Sequence, residues 1–250
     1  MKARYCYWSV ATGPEADRME RCVRTARAAG VFKEFHVLTD RPIPECECYD
    51  AYDCDRAHGL FKLHYLKAGM SRLNFDHFVW VEPGTVFLRN PDDVLGALGR
   101  APMHVPLEVR LTDLPAGAEW HGMPLDRARD LMAKLGVTGA PWLGGSGFWI
   151  VHREVIETMY ELAVGFWHKA KEAGLAADVS AGLAFALQML TADPDRHRLV
   201  NQPRLWAADT TEQFRDSLPN GQPWRWRHPL GVEGEVCPAL LQLAASIVTV

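Results

Sequence analysis

The chain has 250 residues and a mass of 28.0 kDa, with 48% hydrophobic and 23% charged residues. That is enough to bury a full core, and too evenly mixed for a disordered or fibrous chain. Twenty-seven basic against 31 acidic residues give a net charge of −4, which excludes the basic footprint of a nucleic-acid-binding protein. No apolar run approaches the ~20 residues that cross a bilayer. The opening MKARYCYWSV reads as a strand and lacks the basic, apolar, small-residue layout of a secretory leader, so the expected location is the cytoplasm.

In chain order, Arg4–Ala11 is rich in Tyr, Trp and Val and predicts a strand that Thr12-Gly13-Pro14 breaks. Met19, Cys22, Val23, Ala26 and Ala29 recur at helical spacing over 15–29, and Gly30 supplies the stop. Phe35–Thr39 is a second strand, ended by Asp40 and two prolines. A β–α–β opening of this kind implies a parallel sheet with a right-handed crossover. Residues 46–58, CECYDAYDCDRAH, read as a surface loop. A helix over 60–70, a buried strand over 77–82 and a short strand over 86–89 follow. Asn90-Pro91-Asp92-Asp93 then opens a helix, with Asn as cap, Pro in the first turn and acids at the positive end of the dipole.

Beyond Arg100 the pattern loosens. Gly and Pro make 101–123 a long loop around short strands. A helix is predicted over 125–135. Trp142–Gly147 is a glycine-rich turn into a strand over 148–152. An apolar stripe through Val155, Met159, Leu162, Ala163 and Phe166 marks a helix reaching about Ala173, and 178–190 is a second, mostly apolar helix. Arg198–Asn201 and Trp224–His228 read as short strands and Pro238–Ser246 as a closing helix. No repeat or linker interrupts the chain.

Six cysteines (Cys6, Cys22, Cys46, Cys48, Cys54, Cys237) suit free thiols in a reducing compartment. Three of them with His58 contain the donor types for zinc, but lack the paired C-x-x-C spacing that makes such a site specific; incidental cysteines in a loop are the plainer reading. Among nine tryptophans, Trp120, Trp142, Trp206, Trp224 and Trp226 stand in polar surroundings, suiting either a face that stacks on a flat ring or buried anchors.

The chemistry concentrates at Val81-Glu82-Pro83-Gly84-Thr85. Strand Phe78–Val81 is apolar on both sides, so it is placed centrally under helices on both faces. Ligands of open α/β sheets collect beyond the carboxyl ends of such strands, where Glu82 falls. A carboxylate there can hold a divalent cation that bridges two phosphates and stabilises a departing diphosphate. It can equally cap a backbone amide in a Pro-Gly turn.

The run Phe61-Lys62-Leu63-His64-Tyr65, then Phe75–Thr85, then Arg89-Asn90-Pro91-Asp92-Asp93 resembles the GT-A glycosyltransferases, in particular glycosyltransferase family 8, which includes glycogenin and galactinol synthase. The resemblance spans roughly residues 4–230 and is clearest over 59–95. It implies an α/β fold of the GT-A type, with a mainly parallel central sheet flanked by helices on both faces. One domain over 1–250 is implied, with a nucleotide-binding half over 1–95 and an acceptor-binding half over 96–250. It further implies a nucleotide-sugar donor, usually UDP-linked, a saccharide or other hydroxyl acceptor, and commonly a manganese ion.

The chain departs from that family where D-x-D is expected. Glu82-Pro83-Gly84 keeps one acid, and Gly84 offers only backbone. Asp76 precedes the strand, on the order of 20 Å from Glu82 at ~3.3 Å per residue, and Asp92 and Asp93 read as helix-opening acids. The alternatives are a weakened manganese site and a metal-independent one. The family's late H-x-x-G-x-x-K-P-W motif is matched only by His228 and Gly231; its histidine is a metal ligand, and Gly234 stands at its lysine position. Arg225 and Arg227, two apart, suit phosphate oxygens, or else form a solvated edge strand. By resemblance Lys62 meets a donor phosphate or a sheet-end carboxylate; alone, it also fits a lysine snorkelling to the surface. Gly145 stands where the family has an asparagine lining the donor sugar, leaving Ser146 and the glycine backbone, or simply a turn. Asp178 resembles the first acid of a D-Q-x-x-L-N helix that orients a sugar hydroxyl or the acceptor; the alternative is a dipole-favoured helix start. Ser9, Ala11 and Thr12 resemble the segment that cups base and ribose, and Asp40 resembles an acid contacting ribose or base. Lys62, Ser146 and Asp178 are thus the catalytic candidates.

The function implied is transfer of a hexose to a hydroxyl, with retention at the anomeric carbon and the leaving diphosphate acting as base. A non-catalytic nucleotide- or glycan-binding descendant of the fold is the alternative. A nucleotidyltransferase is disfavoured because no glycine-rich phosphate loop with basic residues follows the first strand.

Overall fold

The computed structural model describes residues 4–50, 60–70, 72–87, 90–91, 95, 103–104, 107–110, 117–120, 123–137, 142–144, 148–177, 179–190, 207–208, 225–227 and 233–235. Its elements are β1 (Tyr5–Ala11), α1 (Pro14–Ala28), β2 (Phe35–Thr39), β3 (Glu47–Asp50), α2 (Phe61–Met70), β4 (His77–Val81) and β5 (Val86–Phe87). After these come β6 (Met103–His104), β7 (Leu107–Arg110), β8 (Glu119–Trp120), β9 (Met123–Pro124), α3 (Leu125–Lys134), β10 (Trp142–Gly144) and β11 (Phe148–His152). The chain continues through α4 (Ile156–Glu172), α5 (Val179–Leu190), β12 (Ala207–Ala208), β13 (Arg225–Arg227) and β14 (Glu233–Glu235). They divide into two compact units interleaved in sequence: 1–52, 78–99 and 201–250 in the first, 53–77 and 100–200 in the second.

In the first unit the strands lie in the order β3-β2-β1-β4, with β1 parallel to β2 and β2 parallel to β3. All seven residues of β1 and all five of β2 are buried. Tyr7 stacks on Phe35 at 4.6 Å and meets Phe87 edge-on at 5.4 Å, pairs worth about 0.5–1.5 kcal/mol each beyond their area. Helix α1 turns Ala16, Met19, Cys22, Val23 and Ala26 inward, the face the helical spacing assigns. It stops as expected at Gly30: the Gly30 N–H donates to the Arg27 carbonyl and the Val31 N–H to the Ala26 carbonyl, with Gly30 at φ +79°, a left-handed conformation that glycine adopts without Cβ strain. The Thr25 hydroxyl donates to the Cys22 carbonyl and accepts the Phe87 N–H, tying α1 to β5. The Asn90 amide donates to the Gly30 carbonyl at 2.9 Å, and the Leu95 N–H donates to the Pro91 carbonyl; the rest of the helix predicted after Asn90 lies outside the described residues.

In the second unit β11 pairs antiparallel with β6 and β10 antiparallel with β7, the latter with a register shift between Leu143 and Gly144. A core of Met123, Leu125, Met132, Phe166, Leu175 and Phe185 joins α3, α4 and α5, with Phe166 and Phe185 stacked at 5.1 Å. Helices α4 and α5 approach so closely at Gly182 that a Cβ there would lie 2.9 Å from the Ala163 carbonyl oxygen.

Two expectations are corrected. Residues 47–50 are a strand where a loop is expected: β3 is an edge strand with three of its four residues exposed, so charged and cysteine side chains cost nothing there and apolar alternation is not needed. Residues 142–144 form β10, although the glycine-rich run over 142–147 reads as a turn. Cys6 and Cys22 are buried and free, and burial raises both thiols above their ordinary range; Cys46 is pushed up to about 12, chiefly by burial. These are inert thiols. Cys54, His58 and Cys237, the strand expected at 198–201 and the helix expected at 238–246 lie outside the described residues.

Candidate functional site

The carboxyl edge of the parallel strands is built first by β1 and β2. The register pairs Ala11 with Thr39, so Thr12 and Asp40 leave the sheet side by side. Gly13 takes φ +56° and ψ −130°, a conformation that favours glycine. Its N–H donates to Asp40 Oδ2 at 2.8 Å. This fixes the loop before α1 and settles an electrostatic point. The N-terminus of a helix ordinarily attracts phosphate, but here a carboxylate already occupies the entry of α1, and Glu15 and Asp17 follow in its first turn. That entry suits groups that donate hydrogen bonds, such as ribose hydroxyls or the N–H of a base, and repels a diphosphate. Asp40 is exposed, so a ligand can reach it.

Beside β1 lies β4, buried throughout as its apolar sequence predicts. Ser9 joins them: its hydroxyl, fully buried, donates to the Val81 carbonyl at 2.8 Å. Glu82 is the next residue. At ~3.3 Å per residue and ~4.8 Å between strands it lies within about 15 Å of Thr12. The Thr85 N–H donates to the Glu82 carbonyl at 2.9 Å, closing the Glu82-Pro83-Gly84-Thr85 turn. Glu82 is half-buried, and Trp80 Nε1 donates to its Oε1 at 3.4 Å. The Thr85 hydroxyl is buried without a hydrogen-bond partner.

The residues singled out in the sequence therefore separate. Asp40, Thr12, Glu82 and Gly84 sit at the carboxyl edge of the first unit. Ser9 and Ala11 belong to the same unit but are fully buried; the Ser9 hydroxyl donates to the Val81 carbonyl and so ties β1 to β4, and Ala11 is part of the core. Lys62 belongs to the second unit, near the start of α2, and is only 9% exposed, in keeping with the apolar residues around it in sequence. Arg225 and Arg227 belong to a strand, β13, and their register partners in β14 are Glu235 and Glu233. Gly145, Ser146, Asp178 and His228 lie outside the described residues, as do Trp206 and Trp224.

A manganese ion in the usual position requires two acidic side chains spaced as in D-x-D. The turn supplies one, Glu82, already accepting an indole N–H, and Gly84 adds no side chain. Among the described residues no group of three His, Cys, Asp or Glu side chains converges. The described donor set does not fit the ion.

No family model matches this sequence, and the comparison with curated proteins finds no relative. Solved structures do match. A structure of an active-site mutant of LgtC is similar over 79% of this chain and 73% of that one, with a TM-score of 0.51 and 10% identity. The galactosyltransferase LgtC in complex with donor and acceptor sugar analogues matches over the same shares, with a TM-score of 0.52 and 10% identity. No helix among the described residues is long and apolar enough to cross a membrane. At this identity the likeness establishes architecture: the chain has the mixed α/β fold of the GT-A glycosyltransferases.

Proposed function

We propose that the protein is a glycosyltransferase that moves a hexose from a nucleoside-diphosphate sugar, UDP-linked in the first instance, to the hydroxyl of a saccharide or similar acceptor, with retention at the anomeric carbon. The observation that carries this reading is the fold itself, matched over most of the chain to a galactosyltransferase solved with donor and acceptor sugar analogues. The carboxyl edge supports it. Asp40 accepts from donor groups on the ribose or base, and the 82–85 turn marks where the diphosphate begins. Lys62 and the arginines of β13 are the basic groups assigned to the diphosphate; Ser146 and Asp178 are assigned to the sugar and acceptor. No step is routed through a metal. In the retaining reaction the departing diphosphate takes the proton of the attacking hydroxyl on the same face of the sugar, so the protein need supply no base. Its contribution is to neutralise the departing charge and to exclude water.

The replacement of the second acid by Gly84 favours one other reading, a protein that binds nucleotide or glycan without turnover. Incubation with UDP-, GDP- and dTDP-hexoses, with free nucleoside diphosphate as the readout, separates the two. Release of diphosphate, accelerated by an acceptor, is the expected result. Tight nucleotide binding with no release under any metal overturns the enzymatic reading.

A further inference from the structure

Cys46 and Cys48 stand on either side of Glu47 where the chain turns into β3, and the two thiols are unequal. Cys48 is exposed and Cys46 half-buried. The turn before them is firmly held. The Cys46 N–H donates to the Ile43 carbonyl at 3.3 Å, and Glu45 takes φ +61°, a conformation that residues with a side chain rarely adopt. Arg27 of α1 keeps it there: Nε donates to Glu45 Oε2 at 2.9 Å and Nη2 to the Glu45 carbonyl at 3.1 Å.

This turn receives the sulfur of Cys48. The Ile43 N–H donates to Cys48 Sγ at 3.2 Å, and the carbonyl oxygens of Ile43 and Cys46 each lie 3.7 Å from it. One backbone donor is therefore in place for the negative charge that a reacting thiol carries, and the sulfur already rests against the residue it would bridge. At ~3.3 Å per residue the Cα atoms of Cys46 and Cys48 are about 6.6 Å apart, inside the span of roughly 4.4–6.8 Å that a disulfide bridges. Cys46 by itself is unreactive, its thiol pushed up to about 12 by burial first and by Cys48 second. Cys22, whose thiol also feels Cys46, faces inward from α1 and is only 1% exposed.

We propose that Cys46 and Cys48 form a redox modification site, in which a peroxide oxidises Cys48 and Cys46 then closes a reversible disulfide with it. The Cys48 thiolate attacks one oxygen of hydrogen peroxide. The O–O bond breaks, the sulfur gives up two electrons and becomes a sulfenic acid, and hydroxide leaves. The Cys46 thiol next attacks that sulfur: the S–O bond breaks, an S–S bond forms, and the oxygen departs as water with the proton of the Cys46 thiol. Ionised Cys48 opposes ionisation of Cys46, and its conversion to a sulfenic acid removes that opposition, so Cys48 reacts first and Cys46 second. A disulfide closed over a single residue in an exposed segment belongs to the strained, accessible class that is readily reduced.

The test is peptide mapping of the reduced protein after brief exposure to hydrogen peroxide, with remaining thiols blocked by N-ethylmaleimide. Chymotrypsin cuts after Tyr49 and Tyr52, which separates Cys46 and Cys48 from Cys54. The expected product is a peptide holding both cysteines, unalkylated and lighter by two hydrogens, that regains both thiols in dithiothreitol. In C46S, Cys48 stops at the sulfenic acid and is labelled by dimedone; in C48S, Cys46 stays a thiol. Recovery of Cys48 as its maleimide adduct after peroxide overturns the proposal. So does a disulfide from either residue to Cys22, Cys54 or Cys237, oxidation of Cys48 beyond the sulfenic acid without a bridge, or dimedone labelling of Cys46 in C48S. Should C46S fail to fold, C46A takes its place, and the wild-type map and C48S, altered at an exposed position, decide without it.

Discussion

His77, the first residue of β4, is only 3% exposed, and neither ring nitrogen has a hydrogen-bond partner. Its ring meets that of His152 edge-on at 4.8 Å. Burial first, and the neighbouring His152 second, lower its pKa to about 4, against an opposing contribution from Asp76. In the unfolded chain the same ring titrates near 6.5. Acid therefore protonates the unfolded chain first: the stability that depends on neutral His77 is complete above about pH 6.5, drains away as the pH falls toward 4, and is constant below. At 1.36 kcal/mol per pH unit the full difference is roughly 3 kcal/mol. His77→Leu removes the group while keeping much of its volume. It also removes two buried nitrogens whose desolvation is uncompensated, a cost of about 1–3 kcal/mol per unsatisfied group. The expected outcome is a variant at least as stable as wild type at pH 7.5 whose unfolding free energy, from urea titrations at several pH values, falls by roughly 3 kcal/mol less than wild type on going to pH 4. Parallel wild-type and variant curves would refute the argument, because titrating groups away from His77 cancel in the comparison.

The helix crossing at Gly182 predicts that Gly182→Ala, placing a methyl 2.9 Å from the Ala163 carbonyl oxygen, destabilises by about 1–3 kcal/mol through overpacking, measured by thermal or urea unfolding. Ser9→Ala removes the bond to Val81 and is expected to cost about 1 kcal/mol of stability with nucleotide affinity unchanged in calorimetry, in contrast to Asp40→Asn. That variant keeps an acceptor for Gly13 but loses its charge, and is expected to weaken nucleotide binding by about 1 kcal/mol or more. Because the turn offers one carboxylate, manganese is expected to change nucleotide affinity by less than about fivefold (~1 kcal/mol); a manganese dependence larger than tenfold that disappears in Glu82→Ala would show that the ion is held there after all.

Much of this architecture was legible because the periodicities are strong. The all-apolar strands at 5–11 and 77–81, the helical spacing of Met19, Cys22, Val23 and Ala26, and the glycine that ends α1 are local signals that the tertiary structure has no reason to override. The strand at 47–50 was not legible, because an exposed edge strand imposes no apolar pattern. The site shows the same division. Asp40 and Glu82 announce themselves as acids at the ends of apolar strands. That Asp40 would be engaged by Gly13, or that Ser9 would spend its hydroxyl on Val81, depends on which strands become neighbours, 27 and 72 residues away in sequence. Arg153 carries no local signal at all: its guanidinium donates to the carbonyls of Met70 and Leu73, 83 and 80 residues back.

Crystals grown with the tightest-binding nucleoside diphosphate give the most direct measurement. The predicted result is a nucleoside hydrogen-bonded to Asp40, with its pyrophosphate reaching the Glu82–Thr85 turn at the end of β4. A nucleotide bound elsewhere on the protein, leaving Asp40 and that turn untouched, would contradict the account.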